Sequence, residues 1–355
     1  MHLMKPTTVL SLGCFLLALG LGWYIFTIYV IPFNVFGWIL IIAGTGVIIS
    51  SLVSWKRPNL PIRGVVNGLI GGLILSLFIT SGFGFITGEI GTYRAEDTKL
   101  YTDQVTTSNI YVEVDNFNGP IRISTWDVAE YQLSLKIVAK GSSQQNAEDS
   151  LNNLKINLDN KIVQSQYTLT LKYDVSFLDH SRYSIEVDLF LPADTLIDLD
   201  LESSNGGIYL TDISGNNLRM ETSNGPLIFN KVSANSIIGK TSNGGIEGTV
   251  DAPDTSLSTS NSGIDLTLPC SVGGQYDLST SNGNVKLKVS SLSQVGFDLD
   301  LSTSNGDIDI TLPDLEYSQN QKTSKEAQSE GFSNKAVQII IEANTSNSNI
   351  DVETL

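Results

Sequence analysis

The residues that could carry chemistry are few and far apart. Beyond residue 88 the chain has one histidine, His180, in the polar run Asp179-His180-Ser181-Arg182, and one cysteine, Cys270. A serine triad, a zinc site or a histidine-activated thiol needs an imidazole beside other groups. A lone histidine among polar residues reads as a solvated side chain. Cys270 follows Leu268-Pro269 just as Asp314 follows Leu312-Pro313, so it reads as an ordinary repeat position holding a small, partly buried residue. The acids are more suggestive. Asp198/Asp200, Asp298/Asp300 and Asp307/Asp309 alternate on strands. Stacked carboxylates would suit Ca²⁺, and paired ones would suit glycoside hydrolysis. Yet no GGxGxD calcium repeat is present, and the column Asp265, Lys286, Asp309 mixes charges. The acids are therefore read as structural or solubilising, with Ca²⁺ the one cofactor they would fit. No catalytic residue or metal ligand is assigned, and the chain reads as non-enzymatic.

The elements that would position these residues come from a recurring phrase. It reads SSNGGI at Ser203–Ile208, TSNGPL at Thr222–Leu227, TSNGGI at Thr241–Ile246, TSNSGI at Thr259–Ile264, TSNGNV at Thr280–Val285, TSNGDI at Thr303–Ile308 and TSNSNI at Thr345–Ile350. From asparagine to asparagine the steps are 19, 19, 18, 21, 23 and 42 residues. A period near twenty predicts stacked repeats. An alternating strand precedes each asparagine and another follows it. Asn-Gly accepts positive φ most readily, so each coil is expected to turn there. The expected corners are Asn118-Gly119, Asn205-Gly206, Asn224-Gly225, Asn243-Gly244, Asn261, Asn282-Gly283, Asn305-Gly306 and Asn347, with Ser262 and Ser348 in the glycine place at two of them. Stacked asparagines would hydrogen-bond amide to amide. The third and fifth positions after each asparagine are apolar and face inward, except that Ile246 is followed by Gly248. The intervening column, Tyr209, Ile228, Glu247, Asp265, Lys286, Asp309 and Asp351, faces outward.

Residues 1–88 hold three apolar runs, 7–30, 33–54 and 64–86, each long enough to cross a bilayer. Lys5, Lys56, Arg57 and Arg63 all flank one side, which the positive-inside rule makes cytoplasmic. That predicts a multi-pass protein of the cell membrane, its N-terminus cytoplasmic and its C-terminal domain extracellular. Gly64, Gly68 and Gly72 share one helix face and would let another helix approach, either a neighbouring span or a second copy. The 21 Lys and Arg less these four leave 17 beyond residue 88, against 37 Asp and Glu, a net charge of −20. Such a surface repels nucleic acid and favours cations, basic partners or neutral glycans. The two cysteines, Cys14 and Cys270, lie in different regions and do not pair.

The expected fold is thus three transmembrane helices followed by an extracellular parallel β-solenoid. Residues 89–104 read as a linker, 105–200 as the start of the repeat domain, and 201–355 as the repeats. Gln144–Leu158 reads as an amphipathic helix in a capping excursion. Glu316–Lys335 reads as an exposed polar loop thrown out from one repeat. The strand before Leu355 reads as an open edge inviting another chain.

The repeated (T/S)SNG(x)(I/V/L) corner, the strand phrase Tyr183–Pro192 and the early Asn118-Gly119…Trp126-Asp127 resemble the DUF4097 family of candidate adhesins. The resemblance covers residues 105–355. It implies a β-helix-like repeat fold at the cell surface and carries over no catalytic residue. The stacked repeat, the predicted topology and the missing catalytic constellation point to a membrane-anchored binding or adhesion protein whose partner is an envelope polysaccharide or a surface protein, with homo-oligomers as a further expectation. Two rivals are an envelope-stress sensor working through a membrane partner and a carbohydrate-active enzyme. The enzyme would want cationic residues in a cleft, and the only arginines beyond residue 88 are Arg94, Arg122, Arg182 and Arg219.

Overall fold

A computed structural model of the chain describes residues 11–21, 45, 47–48, 50, 62–77 and 93–355. The chain divides into two compact units, Met1–Tyr93 with Gly141–Ser143, and Arg94–Lys140 with Gln144–Leu355. In the first, residues 11–21 are helical and α1 spans Ile62–Leu77. Gly64, Gly68 and Gly72 lie along α1. A Cβ at Gly68 would run into the backbone carbonyl of Ser11, and one at Gly72 into that of Phe15. The chain's own helical segment 11–21 therefore fills the seam at Gly68 and Gly72. The expected spans 7–30 and 33–54 lie largely outside the described residues. Of the third, residues 64–77 lie in α1 and residues 78–86 lie outside the described residues.

The second unit is built of two sheets. The 11-stranded sheet runs, edge to edge, β1 (Tyr93–Gln104), β4 (Glu130–Gly141), β7 (Tyr183–Pro192), β3 (Ile121–Trp126), β9 (Ile208–Thr211), β11 (Leu227–Ser233), β13 (Ile246–Asp251), β15 (Ile264–Leu268), β17 (Val285–Val289), β23 (Ile350–Thr354) and β19 (Ile308–Ile310). The 12-stranded sheet runs β20 (Leu315–Gln321), β21 (Ser324–Ser329), β18 (Val295–Thr303), β22 (Val337–Thr345), β16 (Gly274–Thr280), β14 (Asp254–Thr259), β12 (Ser236–Thr241), β10 (Gly215–Thr222), β8 (Leu196–Ser203), β2 (Asn109–Asn116), β6 (Gln166–Asp174) and β5 (Lys155–Val163).

This corrects the expected fold class. Among the described residues no helix is long and apolar enough to cross a membrane, and the β unit is a pair of large mixed sheets, not a uniformly parallel solenoid. Pairing is parallel through the middle, as in β10 with β12 and β11 with β13. It is antiparallel toward the ends, where β4 meets β7, β5 meets β6, and β21 meets both β18 and β20. Two of these pairs, β5–β6 and β20–β21, are hairpins closed by two-residue turns, and a tight reversal can only make an antiparallel pair.

Strand alternation builds the core. In β8, Ile197, Leu199 and Leu201 are buried while Asp198, Asp200 and Glu202 face out. Inward residues of both sheets form one apolar cluster reaching from Val105 to Val352. Each fully buried aliphatic side chain contributes about 2 kcal/mol. The departure at Gly248 also has a packing cause. Gly248 lies in register between Phe229 and Leu266, and a Cβ there would strike the Phe229 carbonyl. A Cβ at Gly239 would come within 2.9 Å of Leu227 Cδ1. The two glycines leave room beside a fully buried Phe229.

Four expectations for local elements change. Residues 93–104, polar enough to read as a connector, form the edge strand β1. The amphipathic helix is α2, Gln144–Asn153, with Ala147 and Ser150 buried, and it stops short of Leu158. From Lys155 the alternation Ile156-Asn157-Leu158 serves β5 instead, because pairing with β6 satisfies its backbone. The polar segment 316–335 is no free loop: β20 and β21 form a hairpin laid against β18. The last strand is no open edge either, since β23 is bonded to β17 on one side and β19 on the other.

Candidate binding surface

One corner of every coil carries the repeated phrase, and its side chains form continuous rows. Each asparagine Nδ2 donates to the Oδ1 of the asparagine in the coil before it. Asn205 donates to Asn118 at 2.6 Å, Asn224 to Asn205 at 2.7 Å, Asn243 to Asn224 at 2.8 Å, and Asn261 to Asn243 at 2.7 Å. Asn282 donates to Asn261 at 3.0 Å, Asn347 to Asn282 at 2.8 Å, and Asn305 to Asn347 at 2.9 Å. The ladder therefore runs 118, 205, 224, 243, 261, 282, 347, 305. At its foot Asn118 Nδ2 donates to the carbonyls of His180 and Tyr183. With neighbouring strands about 4.8 Å apart, eight asparagines extend over about 34 Å.

The residue two before each asparagine is a bracket behind the ladder. Thr241 Oγ1 donates to the Gly225 carbonyl of the previous coil at 2.9 Å and accepts from the Gly244 N–H of its own turn at 3.1 Å. Thr222 does the same with Gly206 and Gly225, and Thr345 Oγ1 donates to Gly283. In the first coil Asn116 takes this place, with Nδ2 donating to the Gly119 and Ile185 carbonyls. Sequence reading passed over Asn116 because its phrase is Asn-Phe-Asn-Gly; its register opposite Ser203 is the signal that finds it.

The glycines after the asparagines serve a different purpose from the expected one. Of the corner glycines only Gly119, at φ 109°, has a positive φ. A Cβ at Gly225 would collide with the Gly206 carbonyl, one at Gly244 with Gly225, one at Gly283 with Ser262 and one at Gly306 with Ser348. Close stacking of backbones, not left-handed geometry, favours glycine at these four corners, while Ser262 and Ser348 fill the same place in two others.

Between bracket and ladder lies a row of serines: Ser204, Ser223, Ser242, Ser260, Ser281, Ser346 and Ser304. All but Ser242 are exposed, and their hydroxyls have no partner among the described residues. The surface thus offers free hydroxyls and the second lone pairs of the Asn Oδ1 atoms. It is a neutral, rigid, repeating stripe on an acidic protein.

The candidate chemistry residues do not converge. His180 stacks on Phe117, ring centroids 4.2 Å apart, and meets Phe177 edge-on at 5.5 Å, so it packs at the ladder's foot while staying half-exposed. Cys270 is buried, and that burial pushes its thiol up to about 11, with Asp251 adding to the shift. It is protonated at neutral pH and a poor nucleophile. Asp198 is held by Gln166, Asn216 and Asn217, Asp200 by Arg219, and Asp307 by Lys322 at 2.8 Å. Among the described residues no three His, Cys, Asp or Glu side chains are grouped to hold a metal.

Charge differs along the stack. Near its start Lys172 pairs with Glu113, Arg122 with Glu186 and Asp188, and Arg219 with Asp200 and Glu221. Farther along, Asp277, Glu342, Asp300 and Glu326 lie in register on four adjacent strands. None of these four forms an ion pair among the described residues. An open groove of about 510 Å³ lined by Asp298, Asp300, Glu316 and Glu326 lies beside them.

No curated protein matches the chain. Solved structures similar to it include a candidate cell adhesion protein from Clostridium sporogenes, 11% identical, covering 74% of this chain and 100% of that one at a TM-score of 0.35. Others are a candidate adhesin from Bacteroides fragilis, 10% identical over 72% and 97% at 0.29, and a candidate lipid binding protein from Parabacteroides distasonis, 10% identical over 73% and 97% at 0.26. Likenesses at these scores carry no argument about function. The family model described as Toastrack DUF4097 matches residues 107–350, well over half of the 355, from the first coil to the last strand. The chain belongs to the Toastrack DUF4097 family.

Proposed function

We propose that this chain is a non-catalytic binding protein that lays its asparagine–serine stripe along an extended, uncharged, hydroxyl-rich polymer of the surface-polysaccharide class. One observation carries the reading. Seven amide-to-amide bonds hold eight asparagines in line, while the serine row beside them is left with unpartnered hydroxyls. Such a row presents the same polar group at each coil, so a polymer of identical units can bond to many coils at once, and weak contacts add through multivalency. The rigidity of the ladder lowers the ordering cost of binding. The net charge of −16 for the whole chain disfavours anionic polymers.

The test is retention of the full chain on immobilised neutral and anionic polysaccharides, with release of new sugar ends assayed in parallel. Retention on neutral polymer, lost in the Ser223→Arg/Ser281→Arg variant, is the expected result. Retention that ignores both substitutions, or no retention on any polysaccharide, rejects the reading. New sugar ends would mean the protein is an enzyme.

A further inference from the structure

The last coil of the chain is not the last coil of the stack. Residues 337–355 lie between the Asn282 and Asn305 coils and bond to both. β22 sits between β16 and β18, and β23 between β17 and β19. Among the described residues, the strands made earlier, β18 to β21, join the sheets only through this coil.

Two features make the coil separable. It is tied to β21 by seven residues, 330–336, that cross over β18. There Gly331 takes a left-handed φ of 64°, Lys335 Nζ donates to the Ser293 carbonyl at 3.0 Å, and a Cβ at Gly296 would meet Lys335 Cγ at 2.7 Å. Finally, its contacts are those of every other coil. Thr345 Oγ1 donates to Gly283, Asn347 to Asn282, and Ile339, Ile341, Ile350 and Val352 are buried.

We infer that the C-terminal coil is an exchangeable insert, and that its partner is the same slot in a second copy of this chain. The slot is built of repeated contacts, so it accepts a neighbour's residues 337–355 on the same terms as its own. Closed and exchanged forms share every strand pairing and differ only in the crossover 330–336. Folding at high chain concentration then populates the exchanged dimer, and the barrier to unpicking two strands preserves it on dilution.

Ser279 and Asn344 are direct cross-strand partners on β16 and β22 and both point outward. In full-length chains with Cys14→Ser, one chain carries Ser279→Cys and a mass-tagged second chain carries Asn344→Cys. The two are refolded together at high concentration and oxidised. The expected product is a covalent pair with one copy of each, increased several-fold by deleting residues 332–334 to shorten the crossover. The double variant in a single chain should close on itself and certifies the geometry. A closing double variant with no mixed product overturns the inference. Wild-type chain refolded at rising concentration gives an independent arm: dimer that survives dilution supports exchange, and monomer at every concentration overturns it.

Discussion

At one corner of each coil Thr-Ser-Asn recurs, stacks and bonds to itself. On the opposite side, where the chain turns back from the 11-stranded sheet, Asp212, Lys231, Cys270 and Asp314 repeat no phrase. They share a conformation: all four have a φ between 54° and 56°. A left-handed backbone costs a non-glycine residue about 1–2 kcal/mol, and here three side-chain types bear it. The contrast shows two ways of turning a stacked chain. Where identical side chains can bond to one another, each coil reinforces its neighbours and the residue types are restricted. Where they cannot, each turn carries its own strain and the residues vary.

The sharpest way to break this comparison is Gly225→Asn against Gly225→Val. Asparagine tolerates left-handed backbone and valine does not. If close stacking on the Gly206 carbonyl is what demands glycine, both should cost about 3 kcal/mol or more in urea unfolding; a mild effect of asparagine would restore the φ explanation. Next comes Thr241→Val, which keeps the shape but removes the hydroxyl bonded to the Gly225 carbonyl and the Gly244 N–H. A buried N–H left unpaired predicts a loss of about 2 kcal/mol. Asn243→Ala removes two ladder bonds and Asn305→Ala one, so losses of about 2 and about 1 kcal/mol are expected by the same measurement. Equal losses would show that the ladder's continuity does not matter.

The opposite side predicts the opposite sign. Asp212→Gly should relieve the left-handed backbone at the cost of an exposed 3.9 Å pair with Lys231. A surface pair of that kind is worth little, so a net gain of up to about 1 kcal/mol is expected. The smallest effect concerns Asp351, whose carboxyl is raised above 3.8 by burial and then by Asp309, with Lys286 opposing. A folded state that holds the proton more tightly than the unfolded chain loses stability as pH rises through the carboxylate range. Asp351→Asn should therefore raise the melting temperature at neutral pH and leave it unchanged in acid.

Much of the asparagine–serine stripe was legible in the residues. The Thr-Ser-Asn phrase marked the ladder, and alternation marked the buried positions from Ile208 to Val352, because both are local consequences of a strand's two-residue period. The sheets' mixed character was not legible. Whether 316–335 dangles or pairs depends on β18 offering it an edge, which no local pattern encodes. The same holds for residues 93–104, whose polar composition conceals an edge strand wet on most of its length.

The sequence alone determined the chemistry of each coil: an asparagine that can bond to its copy, a hydroxyl two residues earlier, and apolar residues alternating on either side. Only the tertiary structure decided the order of the coils. The 42-residue step from Asn305 to Asn347 becomes a single rung backwards, because the returning chain bonds equally well to coils of the same composition on either side of it. Identical coils carry no address, and the place of the last one is set by the hairpin that turns the chain back over β18.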